Sequence, residues 1–149
     1  PELLIALAKL NQDNCKGVII DLRGNTGGYM GAAIQMVNEF LPKNNLIVYT
    51  QGRKSPRENY HSNGTGSSQK MPLIVLTDEG SASASEIFAG AIQDNDRGTI
   101  IGPFFWQRIG TATHRLQRWF GYPTHYRTVL YSFRTLHPEA LRQRKRYEL

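Results

Sequence analysis

The reading of LTDEGSASASEIFAGAIQDNDRGTIIG, residues 76–102, decides the fold. The apolar run Leu73-Ile74-Val75-Leu76-Thr77 leads into it, short and β-branched, as a buried strand is. Asp78-Glu79-Gly80-Ser81-Ala82 then breaks the run sharply. A helix is predicted from about Ser83 to Asn95, with Ile87, Phe88, Ala91 and Ile92 on its inner face. Gly98 ends the following turn, and Thr99-Ile100-Ile101 begins another strand. A strand feeding a tight turn and then a helix sets a serine at the helix N-terminus. There, free N–H groups and the helix dipole favour developing negative charge. Simple N-capping is the competing reading of Ser83, because serine is a leading cap residue.

Outward from this stretch the same alternation continues. Leu3, Leu4, Leu7 and Leu10 recur at helical spacing over roughly 2–11, and Gly17-Val18-Ile19-Ile20-Asp21-Leu22 reads as a buried strand. The loop Arg23-Gly24-Asn25-Thr26-Gly27-Gly28 follows. Tyr29, Ala32, Ala33, Met36, Val37 and Phe40 mark one face of a second helix that stops before Pro42. Leu46-Ile47-Val48-Tyr49-Thr50 is a further strand, and residues 51–70, polar and rich in Gly and Ser, are expected to be a long exposed loop available for substrate contacts. Strands alternating with helices imply an α/β fold with a mainly parallel sheet. One domain is the natural expectation for 149 residues.

DLRGNTGG, residues 21–28, and SASASE, residues 81–86, stand about 55 residues apart in this order. Together they resemble the C-terminal processing (tail-specific) serine proteases, peptidase family S41, and the likeness runs almost continuously over residues 1–102. It implies a crotonase-like, ClpP-like catalytic core, incomplete here at the N-terminus. It also implies Ser83 as the nucleophile and the Ala84 backbone N–H as one oxyanion donor. Gly27 or Gly28 would supply the other, since only a residue without a side chain lets the backbone approach a substrate carbonyl closely. Reading DLRGNTGG as a phosphate loop fails, because the Gly-Lys-Ser/Thr ending is missing. A Ser-His-Asp hydrolase is disfavoured too: no G-x-S-x-G surrounds Ser83, and His61 sits in the polar stretch, where a solvated role fits it.

The family pairs its serine with a partly desolvated lysine of lowered pKa, 25 residues on, in a strand resembling SFGKGLVQ. Position 108 here is Arg108, too basic to accept the serine proton. Position 112, where a glutamine is expected, is Ala112.

Composition changes at the same point. Residues 1–102 carry 9 Lys and Arg against 10 Asp and Glu, whereas 103–149 carry 9 against 2, so the net +6 lies wholly in the last third. That third also holds both Trp and three of the four His, has no Asp or Asn, and shows no sustained period. We read it, to about residue 141, as a shifted-frame version of the family sequence. Phe104 to Thr111 can be encoded TTC TTT TGG CAA AGG ATT GGT ACA, followed by the G of Ala112. One base later this spells Ser-Phe-Gly-Lys-Gly-Leu-Val-Gln, with the first glycine forced by the Trp-Gln junction. The domain expectation is therefore a partial catalytic domain at 1–102 and a poorly ordered, non-native tail at 103–149.

The resemblance further implies unfolded or C-terminally exposed protein substrates, a PDZ domain in the full-length protein, a bacterial cell-envelope or periplasmic location, and no cofactor or metal. Two other classes compete. One is a catalytically dead peptide-binding relative that keeps the groove, favoured if the gene is intact and in frame. The other is nucleic-acid binding through the basic tail, favoured by steeply salt-dependent affinity that is lost on deleting 103–149; the shifted frame explains the charge without a nucleic-acid partner. Cys15 is the single cysteine, so no internal disulfide can form. No membrane span is present in the sequence.

Overall fold

A computed structural model describes residues 2–52, 55–102 and 128–130. Three helices, α1 (Glu2–Gln12), α2 (Met30–Asn38) and α3 (Ala84–Asp94), alternate with strands. Strands β1 (Val18–Asp21), β4 (Leu73–Leu76) and β5 (Thr99–Ile101) form one parallel sheet in the order β1-β4-β5. Strands β2 (Leu46–Gly52), β3 (Ser55–His61) and β6 (Thr128–Leu130) form a second, antiparallel sheet in the order β3-β2-β6.

Period-two alternation along β1 and β4 fixes which face is inside. Ile20, Leu73 and Val75 are buried in one core cluster with residues of α2 and α3, while Ile19 on the opposite face is 62% exposed. The register Val18↔Leu73 to Asp21↔Leu76 carries both strands to the same end, where the DLRGNTGG loop and the turn before α3 emerge side by side. Helices α2 and α3 meet through Ala33 and Val37 on one and Phe88, Ala91 and Ile92 on the other. Phe40 closes this core edge-on to Phe88, with ring centroids 5.9 Å apart.

Residues 51–70 correct the sequence expectation. Instead of a continuous loop, Ser55–His61 pairs antiparallel with β2, from Leu46↔His61 to Gly52↔Ser55. Pro56 and charged residues are admissible because β3 is an edge strand. Arg57 lies 3.8 Å above the Tyr49 ring, a diagonal cross-strand contact. The expected parallel sheet is β1-β4-β5, whereas β2 turns back through this hairpin into the second, antiparallel sheet. The rest of the stretch is held in place: Arg97 donates to the carbonyls of Phe40, Ser68 and Met71 at 2.8, 2.7 and 2.6 Å. Within it, Ser62 and Ser68 are buried. Of residues 103–149 the described part is Thr128–Leu130, which pairs with Tyr49–Gln51 as β6. The other tail residues, including Arg108 and Ala112, lie outside the described residues.

The C-terminal end of α3 gives a pH prediction. Burial, and then the neighbouring Asp96 charge, push the Asp94 carboxyl up to about 6 from an ordinary 3.8. The folded state therefore holds this proton more tightly than the unfolded state. Its contribution to stability is fully present below pH 3.8 and is lost as pH rises through about 6. Asp94→Asn is expected to raise the urea midpoint at pH 7.5 and to leave it nearly unchanged at pH 3.5; an equal shift at both values would contradict the assignment.

Candidate active site

The two loops at the end of the parallel sheet are joined by polar contacts. Asp78 Oδ1 accepts the N–H of Gly24 at 2.8 Å and of Gly80 at 2.9 Å. These bonds hold its carboxyl below the usual carboxylate range, the Gly24 N–H contributing most. The Ser81 hydroxyl donates to the Leu22 carbonyl at 2.7 Å, and the Ala82 N–H donates to the Asn25 carbonyl at 3.0 Å. Ser85, buried, donates its hydroxyl proton to Asn25, whose carbonyl and Oδ1 both lie 3.0 Å away. Beside this network Arg23 pairs with Asp21 at 2.7 Å, and with its hydrogen bonds lowers the Asp21 pKa to about 2.

Ser83 stands at the head of α3 with φ 55° and ψ −114°. Those are the dihedrals of the first central residue of a type II′ turn, a position glycine normally fills. The Ser85 N–H closes the turn onto the Ala82 carbonyl at 3.1 Å. A non-glycine residue here carries strain of about 1–3 kcal/mol, which the surroundings must hold. Glu86 supplies part of that hold, accepting the Ser83 N–H at 2.7 Å. Burial raises the Glu86 pKa, and the Ser83 N–H opposes that rise. The Ala84 N–H, in the first turn of α3, has no partner among the described residues, as expected of a helix N-terminus.

The two glycines differ sharply. Gly27 has φ +96°, and a Cβ there would lie 2.4 Å from the Ala82 carbonyl oxygen and 2.7 Å from the Ala84 nitrogen. Its N–H is engaged, donating to Asn25 Oδ1 at 2.9 Å. Gly28 faces open space, and its N–H has no partner among the described residues. Both line a small cleft of about 130 Å³ whose walls are Leu22, Tyr29, Ala32, Met36 and Phe88. Ala84 and Ser85 form the side nearest the turn. His61 is exposed on β3 in the other sheet, and no hydrogen bond links it to Ser83.

A strained serine at a helix head, beside a glycine loop and an apolar cleft, is an arrangement that suits a serine hydrolase. Comparison with known proteins gives the family. The family model for peptidase family S41 matches residues 1–119, and the chain belongs to this family of serine proteases. It is 44% identical over 101 residues to the carboxyl-terminal-processing protease of Synechocystis sp., covering 68% of this chain and 23% of that protein. It is 46% identical over 96 residues to the carboxy-terminal-processing protease of Bartonella bacilliformis, covering 64% of this chain and 22% of that protein. The solved structure of the photosystem II D1 C-terminal processing protease superposes with a TM-score of 0.61 at 31% identity, over 66% of this chain and 25% of that one. The chain thus spans under a quarter of the length of these two sequence relatives. No helix among the described residues is long and apolar enough to cross a membrane.

Proposed function

We propose that the chain is the nucleophile-bearing part of a C-terminal processing serine endopeptidase that uses a Ser-Lys mechanism, and that the chain as written does not turn over substrate. Ser83 is the nucleophile. The observation that carries this is its II′ geometry at the head of α3, with the cleft alongside. Ala84 N–H is one oxyanion donor. Gly28 N–H is the other, because Asn25 already holds the Gly27 N–H. Each such donor is worth about 3–4 kcal/mol of barrier. The apolar cleft suits a small aliphatic side chain next to the bond attacked. Substrates are unfolded or C-terminally exposed proteins in a bacterial cell envelope, and a PDZ domain belongs to the full-length protein.

Turnover fails for lack of a base. Arg108 occupies the place of the lysine, and a guanidinium stays protonated at any working pH. An unstructured peptide incubated with the 149-residue chain is expected to be cleaved no faster than with a Ser83→Ala control. Ser83-dependent cleavage would overturn the inactivity. A second reading, a peptide-binding relative without catalysis, is supported by the same apolar cleft beside the glycine loop. It predicts saturable peptide binding that persists in Ser83→Ala.

A further inference from the structure

Asn25 is the junction of the two loops. Its Oδ1 takes the Gly27 N–H at 2.9 Å and lies 3.0 Å from the Ser85 hydroxyl, while its carbonyl takes the Ala82 N–H at 3.0 Å. Ser85 is 4% exposed, so an unpartnered hydroxyl there would be costly. One residue thus ties the glycine loop to both sides of the Ser83 turn, its backbone carbonyl to Ala82 and its amide oxygen to Ser85. It also removes Gly27 as a free donor and leaves Gly28, at the cleft, with its N–H open.

We propose that Asn25 and Ser85 are a positioning pair that fixes the glycine loop against the Ser83 turn, so that Gly28 and Ala84 present their N–H groups together to a peptide carboxylate or oxyanion. This rests on the reading of the cleft given above. Neither side chain is asked to touch the reacting atoms. Asn25 acts through Gly27, and Ser85 acts through Asn25. The two therefore work as one unit, and their effects are coupled rather than additive.

The test needs no turnover, so the full chain can be used as it is. The probes are a short peptide ending in an alanine carboxylate and the same peptide as its C-terminal amide, with affinities measured by titration calorimetry. Wild type is expected to prefer the carboxylate. In Asn25→Ala that preference should fall about tenfold, the worth of one hydrogen bond to a charged group, with the amide peptide little affected. Ser85→Ala should lose part of the preference, and the double variant no more than Asn25→Ala alone. Amide hydrogen exchange gives a readout independent of any peptide: Gly27 slow and Gly28 fast in wild type, with Gly27 accelerated in both variants. Should Asn25→Ala not fold, Ser85→Ala carries the test through both readouts. A wild-type preference that survives in the variants, with only the thermal midpoint lowered, overturns the positioning role and reduces the pair to a structural tie. Equal exchange of Gly27 and Gly28 in wild type also overturns it. A wild type without any carboxylate preference overturns the cleft reading itself, and the proposal with it.

Discussion

Gly27→Ala is expected to destabilise the chain by about 3 kcal/mol or more, whereas Gly28→Ala stays within about 0.5 kcal/mol. The two residues are adjacent, so composition and position cannot explain such a difference. At Gly27 two costs coincide. The backbone sits at φ +96°, where a Cβ is strained by itself, and that Cβ would meet the Ala82 oxygen at 2.4 Å, the Ala84 nitrogen at 2.7 Å and the Ser83 Cβ at 2.8 Å. Two of these neighbours are backbone atoms of the strained turn, so no rotamer change relieves them. The glycine loop has to lift away, and the bonds from Ala82 and Ser85 to Asn25 lift with it. At Gly28 nothing lies within 4 Å of the added carbon. Urea unfolding separates the outcomes: a loss of that size moves the midpoint by about 1–3 M, against a barely measurable change for Gly28→Ala. Comparable midpoints for the two variants would mean that the loop is not seated against the turn as described.

What the sequence made legible, and what it hid, divides along one physical line. Short-range hydrophobic periodicity announced α1, β1, α2, β4, α3 and β5 within a few residues, because each buries one face on a common core. β3 was missed for the converse reason. An edge strand reading SPRENYH has no buried face to announce, and its partner is visible only in the register with β2. Arg97 carried no signal for its role either, because its three acceptors are backbone carbonyls 26 to 57 residues away. At the proposed site, the motifs singled out Ser83, Ala84 and the glycine pair, which the fold brings side by side, yet Gly27 and Gly28 were indistinguishable. Their difference comes from Asn25 and Ser85, 60 residues apart in the chain and in contact in the fold. The strain at Ser83 was equally silent, since a serine before a helix reads as an ordinary cap.

Restoring the reading frame after Gly102 is expected to turn an inert chain into a protease, the largest effect proposed for this protein. Two bases lost from GGN CGC CGT TCT leave GGN CCG TTC T, which writes Gly-Pro-Phe, as at residues 102–104, in place of Gly-Arg-Arg-Ser. Repair returns a lysine to position 108, 25 residues after Ser83, together with the glutamine four residues on. A flanking lysine can shed its proton when desolvated, and Arg108 cannot. Arg108→Lys alone should restore nothing, because Ile109, Gly110 and Ala112 stay in the shifted frame and the strand that would carry the lysine is not rebuilt. The gene to test is therefore the repaired one, completed at its N-terminus, assayed on an unstructured peptide. Removing either the serine hydroxyl, by Ser83→Ala, or the restored amine should lower kcat by several orders of magnitude, and removing both should cost little more than removing one. Such non-additivity is the mark of a nucleophile and base acting as a unit. Nucleotides that cannot spell Ser-Phe-Gly-Lys-Gly in any frame after codon 102 would sink the frameshift account. The chain would then be a divergent relative without the lysine, with peptide binding as its remaining activity.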